Sequence, residues 1–198
     1  MHDLPTIASS CGILLGTDAH GRFEHVATAW SVGPDEWVTA WPQPQPDPNA
    51  EPPTNLRLIY TNTGAIDSVQ EWEWENGIAG FRAHVAASVP TLPLRRGKEL
   101  HKRDGLWALG YPSMIDHPAF RLHRGSLDAE RYFPYLCPWV VQGHLALFSA
   151  DDGYLTGRCY EGMAGGPVLD SDGHVVGVLL DGQSAPDHPP LTRFHRLI

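Results

Sequence analysis

Residues 161–169 read Glu161-Gly162-Met163-Ala164-Gly165-Gly166-Pro167-Val168-Leu169. Three glycines let the backbone turn sharply, and the proline hands the chain to an apolar run, so by itself this is a tight turn that opens a strand. Working outward, Asp170-Ser171-Asp172-Gly173 is a second tight-turn signal, followed by the apolar run His174 to Leu180. Further apolar runs occupy Ala83 to Val89, Leu106 to Leu109 and Trp139 to Phe148. Near the start, Ala27 to Val32 and Trp37 to Trp41 flank Gly33-Pro34-Asp35-Glu36, which predicts a hairpin with proline at the first corner of its turn. Leu56, Leu58 and Tyr60 alternate with Arg57, Ile59 and Thr61, and Trp72 and Trp74 alternate with glutamates, as half-buried strands do. Short strands at this spacing, with no long helical stretch between them, predict an all-β sandwich or barrel. The one helical candidate is the end, Pro190 to Ile198.

Composition agrees and narrows the function. In 198 residues, 18 prolines and 20 glycines punctuate the chain too often for long helices. A formal charge of −9 argues against a nucleic-acid partner, because affinity for a phosphate backbone comes mostly from Lys and Arg. Cys11, Cys137 and Cys159 are odd in number and match no zinc or disulfide spacing, which suits a reducing compartment. The N-terminus lacks a basic leader, and no run reaches the roughly 20 apolar residues of a membrane span. The expectation is a cytoplasmic protein without a membrane partner, with secretion after removal of a leader as the alternative. Proline-rich Pro42 to Pro53 predicts a stiff extended loop, and basic, polar Leu94 to Asp104 suits a linker between two halves.

The segment 161–169 resembles the Gly-x-Ser-Gly-Gly-Pro nucleophile loop of trypsin- and chymotrypsin-like serine peptidases, with Ala164 where serine belongs. Two further stretches carry the same resemblance in the same order. Ala27 to Pro42 is similar to the family hairpin ending in Thr-Ala-Ala-His, with Pro42 at the histidine, and Leu106 to Pro112 is similar to a strand ending in Gly-Tyr-Pro. The acidic member opens an Asp-x-Ala-x-x strand in this family, and His84-Val85-Ala86-Ala87-Ser88 is the best match, with His84 in the aspartate slot or Ala83 if the register slips.

The resemblance implies two six-stranded antiparallel barrels, residues 1–98 and 99–198, with a cleft between them and a short C-terminal helix. It implies a vestigial oxyanion hole from the N–H groups of Gly162 and Ala164, with Arg158, Leu180, Asp181 and Gly182 lining the cleft and Arg158 at the base of the specificity pocket. It implies no cofactor and no metal. Acyl transfer needs a nucleophile, a base and an orienting carboxylate, and loss of one member costs about 10⁴ to 10⁶ in rate. With Pro42, His84 and Ala164 at these positions, the expectation is a pseudoprotease that binds or scaffolds a protein or peptide. The rivals are a hydrolase using replacement residues, with Cys159 or His84 as candidates, and an engineered serine-to-alanine change at Ala164. That change leaves Pro42 unexplained. Cys159 is off the nucleophile turn and is expected to be a core cysteine.

Overall fold

The computed structural model describes residues 4–17, 23–40, 56–63, 65–85, 88–95, 99–113, 137–183 and 190–197. A short helix, α1 (Leu4–Ala8), precedes the first sheet: β1 (Cys11–Thr17), β2 (Phe23–Gly33), β3 (Glu36–Ala40), β4 (Arg57–Tyr60), β5 (Ala65–Ser68), β6 (Gln70–Glu75) and β7 (Ile78–Arg82). Its order is β5-β4-β1-β2-β3-β7-β6, antiparallel throughout. The two edge strands of that order, β5 and β6, are separated in the chain by Val69 alone. They act as one bent strand that leaves β4 and joins β7, with the Val69 N–H held on the Leu56 carbonyl at 3.1 Å. The corner curls the seven-stranded sheet into a half-barrel, as strands that switch neighbours do elsewhere.

The second sheet is a closed barrel of six strands in the order β10-β13-β12-β11-β8-β9. They are β8 (Gly105–Gly110), β9 (Trp139–Phe148), β10 (Asp152–Thr156), β11 (Pro167–Asp170), β12 (Val175–Gln183) and β13 (Leu191–Arg196). The predicted C-terminal helix is corrected here. Thr192 and Phe194 are fully buried while Arg193 and His195 are only half-buried, a period of two that suits a strand. Pairing of β13 with both β10 and β12 closes the barrel, which a helix would leave open.

Three apolar clusters follow from strand alternation. Leu14, Ala27, Ala29, Leu58, Tyr60 and Phe81 fill the first barrel, and Leu106, Ala108, Leu145, Val168, Val176 and Phe194 fill the second. The opposite faces of the same strands meet in the seam: Ile13, Leu15, Trp30 and Ile59 from one side, Leu109, Leu169, Val175 and Val178 from the other. Burial on both faces is why β1 and β12 read as continuous apolar runs rather than alternating ones.

The hairpin of β2 and β3 is as expected, with Pro34 at the first corner and Asp35 at φ 59°. The apolar run 83–89 is not a strand in its described part. Ala83 and Val85 plug the first barrel instead, and the Ala83 carbonyl accepts the Trp37 indole N–H at 3.2 Å. The expected linker is pinned rather than loose. Leu94 forms a parallel bridge to Val175, and buried Arg95 pairs with buried Asp170 at 3.4 Å. Among the described residues, no helix is long and apolar enough to cross a membrane.

Candidate functional site

The loop joining β10 to β11 is built from its glycines. Gly162 and Gly165 sit at φ +86° and +87°, where side-chain-bearing residues are strained. Space is closed as well: a Cβ on Gly165 would overlap the Thr28 carbonyl and the Thr39 hydroxyl, and one on Gly162 would overlap the Ser113 N–H and meet His25 Cε1 at 2.8 Å. Within the loop, the Met163 N–H donates to the Tyr160 carbonyl at 3.1 Å, the Gly166 N–H to Met163 at 3.1 Å and the Gly165 N–H to Leu179 at 2.7 Å. The N–H groups of Gly162 and Ala164 donate to no acceptor among the described residues.

Thr28 on β2 clamps this loop to the first barrel. Its N–H donates to the Ala164 carbonyl at 2.8 Å and its hydroxyl to the Gly162 carbonyl at 2.9 Å, while that hydroxyl accepts the Tyr111 N–H at 2.8 Å. The Thr39 hydroxyl donates to the Thr28 carbonyl at 2.6 Å. Tyr111, whose phenol pKa is raised by burial, shares a 2.5 Å hydrogen bond with Thr61.

His25, which the sequence gave no reason to single out, lies on the same strand against Gly162. Its Nε2 is 3.2 Å from the Ala27 carbonyl. Burial pushes its pKa down to about 4, partly offset by hydrogen bonds to the backbone of Ala27 and Gly162. It is therefore neutral at pH 7 and packed into the seam.

The anticipated triad positions fare differently. Ala164 is half-buried beside Gly165, which itself abuts the Ala40 N–H at the end of β3. Pro42, two residues beyond, lies outside the described residues. His84 is not brought to this loop. β3 pairs with β7 so that Ala40 faces Ile78 and Glu36 faces Arg82. His84 follows Arg82, so it sits past the far end of β3, a strand about 13 Å long at roughly 3.3 Å per residue. There its Nδ1 lies 3.0 Å from the Asp35 carboxylate, its N–H donates to Asp67 at 2.6 Å, and hydrogen bonding to Asp35 raises the imidazole pKa. The His84 assignment is corrected by this register. Gly77 is the turn residue just before Ile78, which pairs with Ala40, and Gly77-Ile78-Ala79 carries the same x-apolar-Ala signal as the segment at 84.

Arg158 lies between β10 and the nucleophile-like turn. It is exposed, with its guanidinium over the exposed Tyr160 ring at 5.6 Å, and Tyr160 in turn meets Trp139 edge-on at 5.4 Å. Leu180, Asp181 and Gly182 lie on β12, with Leu180 packed against the seam and Asp181 and Gly182 paired with Arg193 and Thr192. Cys159 is buried, its thiol pushed up to about 11 by burial, which is a core cysteine and a poor nucleophile at neutral pH. The cluster Asp170, Asp172 and His174 has ligand atoms within 4.8 Å of one another. Asp170 is already committed to the N–H groups of Asp172 and His174 and to Arg95, whose charge opposes a cation.

Comparison with known proteins agrees with this architecture. The chain matches the family model of the trypsin-like peptidase domain over residues 12–178. No curated protein sequence matches. Among solved structures it resembles a serine endoprotease from Yersinia pestis, with TM-score 0.68, 13% identity, 99% of this chain covered and 63% of that one. A protease of M. tuberculosis in its active form gives TM-score 0.68 and 12% identity, covering 98% of this chain and 78% of that one. At such identity the likeness shows the fold, and the chain spans under two thirds of the length of the Yersinia protein. With the family model matching most of its length, the chain belongs to the trypsin-like peptidase domain family.

Proposed function

We propose that this trypsin-like domain is catalytically inactive and acts as a peptide- or protein-binding or scaffolding module. The observation that carries the reading is Ala164, at the serine of the family motif, on a loop whose glycines and inter-barrel hydrogen bonds are retained. Alanine has no hydroxyl, and Pro42 at the histidine position has no titratable group, so neither nucleophile nor base is supplied. Gly77 in the acidic slot would complete the loss. Replacement residues are poorly suited: Cys159 is buried with a raised pKa, and His25 is clamped against backbone. A net charge of −9 favours a polypeptide partner over a nucleic acid. We further propose a cytoplasmic site of action, which three unpaired cysteines favour.

The test is turnover of casein, a fluorogenic peptide library and a fluorophosphonate probe by the wild type, Ala164→Ser, Pro42→His and the double variant, with an active relative as control. All four are expected to be silent, because serine alone keeps an alcohol of high pKa and a ring at position 42 must come within roughly 3 Å of it to act as base. Turnover by the unmodified chain would replace this reading with that of a rewired hydrolase.

A further inference from the structure

A cavity of about 360 Å³ opens where the turn between β2 and β3 meets the segment leaving β7. The Ala83 N–H donates to the Asp35 carbonyl at 3.0 Å, which ties the two stretches together beside the hollow. The cavity is apolar at Pro34, Val85 and Val89, and the exposed residues Ser88 and Thr91 add hydroxyls. Asp35 and His84 also line it, with side chains 45% and 75% exposed, so a ligand reaches both directly from water. A few polar groups over an apolar wall, in a hollow of this size, make up a small binding site. It is separate from the loop 161–167: Asp35 precedes β3, Ala40 at the other end of that strand meets Gly165, and about 13 Å of strand lies between.

Charge decides what the cavity takes. Near it stand the carboxylates of Asp35 on the turn, Glu36 on β3, Asp67 on β5 and Glu71 on β6. Against them, among the described residues, are the Arg82 guanidinium on β7, 3.7 Å from Glu36 and 3.2 Å from Glu71, and the His84 imidazole. The His84 N–H donates to Asp67 at 2.6 Å, and its Nδ1 lies 3.0 Å from both Asp35 oxygens. An ionised carboxylate has about four lone-pair sites, so Asp35 keeps room for a second donor. Carboxylates outnumber cations here even when His84 is protonated, which repels an anion and attracts a cation.

Resting on the binding role proposed above, we propose that this cavity receives a basic side chain, lysine or arginine, of a partner polypeptide. The aliphatic stem lies on Val85 and Val89, and the cationic end donates to Asp35. A long stem that covers apolar wall while its head reaches a carboxylate is what these two side chains offer. His84 competes with that head for Asp35. When protonated it sets a like charge beside the ligand, and when neutral it leaves the carboxylate free to attract one. Hydrogen bonding to Asp35 raises the imidazole pKa, so the competition begins above the ordinary 6.5 as pH falls.

The experiment uses the full chain and fluorescein-labelled, C-terminally amidated pentapeptides whose central residue is lysine, arginine, norleucine or glutamate between alanines. At pH 8 and low salt, fluorescence anisotropy should show the lysine and arginine peptides binding at least about tenfold more tightly than norleucine, which keeps the stem without the charge. Asp35→Asn should bring lysine down to the norleucine level, and asparagine tolerates the backbone there at φ 59°. Ser88→Lys, at an exposed position, places a tethered ammonium in the cavity and should weaken the lysine peptide several-fold. Affinity for lysine should fall several-fold from pH 8 to pH 5.5 in the wild type and stay nearly level in His84→Gln. Near-native circular dichroism checks that the variants fold. A random dodecapeptide library is panned in parallel on the wild type and Asp35→Asn. Equal binding of lysine and norleucine peptides, lysine binding that survives Asp35→Asn, or failure of every pentapeptide up to millimolar concentration overturns the cavity proposal. Library peptides enriched equally on both proteins then leave the binding role standing, whereas no enrichment on either overturns that role as well.

Discussion

His25 shows how a single imidazole can be held as structure rather than chemistry. Its folded pKa near 4 against an ordinary 6.5 means that the folded protein keeps it neutral where the unfolded chain takes up a proton. The unfolded state then binds more protons between pH 6.5 and 4, so stability contributed by neutral His25 is complete above 6.5 and is lost as pH falls through about 4. The span corresponds to about 3 kcal/mol. Urea unfolding of the wild type and His25→Gln at pH 7 and pH 4.5 should show the wild type losing more stability on acidification than the variant, with the carboxylate contribution common to both. Parallel profiles would mean that His25 titrates freely.

At the scale of elements, the loop 161–167 is held by shape as much as by hydrogen bonds. Gly165→Ala would force a methyl into the Thr28 carbonyl and the Thr39 hydroxyl at a positive φ, and should destabilise the protein by several kcal/mol or prevent folding. The glycine pattern of a peptidase loop is thus explained by docking between barrels even where the nucleophile is alanine. Thermal melts of Gly165→Ala beside Ala164→Gly, a change at a half-buried neighbour that adds no atoms, would separate the two causes. The same loop, the hairpin 27–41 and the strand 139–148 were legible in the sequence, because turn residues and apolar runs mark their ends. β7 was not legible: Ile78-Ala79-Gly80-Phe81-Arg82 is short and broken by glycine, and its neighbour 83–89 looks more strand-like because Ala83 and Val85 plug the barrel. That misplaced apolar signal moved the acidic slot to His84. In β13 the alternation of Thr192 and Phe194 with Arg193 and His195 is present in the sequence, but a run of six residues is too short for that period to exclude the helical reading of the chain end.

For the whole molecule, the tie between Arg95 and Asp170 joins the connecting segment to the second barrel with both side chains buried. Removing one partner strands the other charge, so Arg95→Met should cost about 3–5 kcal/mol in chemical denaturation. Adding Asp170→Asn should return part of that loss, since asparagine keeps a carbonyl for the N–H groups of Asp172 and His174. Full additivity of the two changes would show that the pair is not coupled.

The parallel bridge from Leu94 to Val175 carries a consequence for birth on the ribosome. The first sheet is complete by Arg82, yet the segment leaving it finds its partner only on the order of 80 residues later, some 4 to 16 seconds at ordinary elongation rates of roughly 5–20 residues per second. During that interval Ile13, Leu15, Trp30 and Ile59 face solvent with no second barrel to cover them. A nascent chain stalled after residue 100 should therefore bind holdase chaperones, and release should come only once Val175 to Arg196 have emerged.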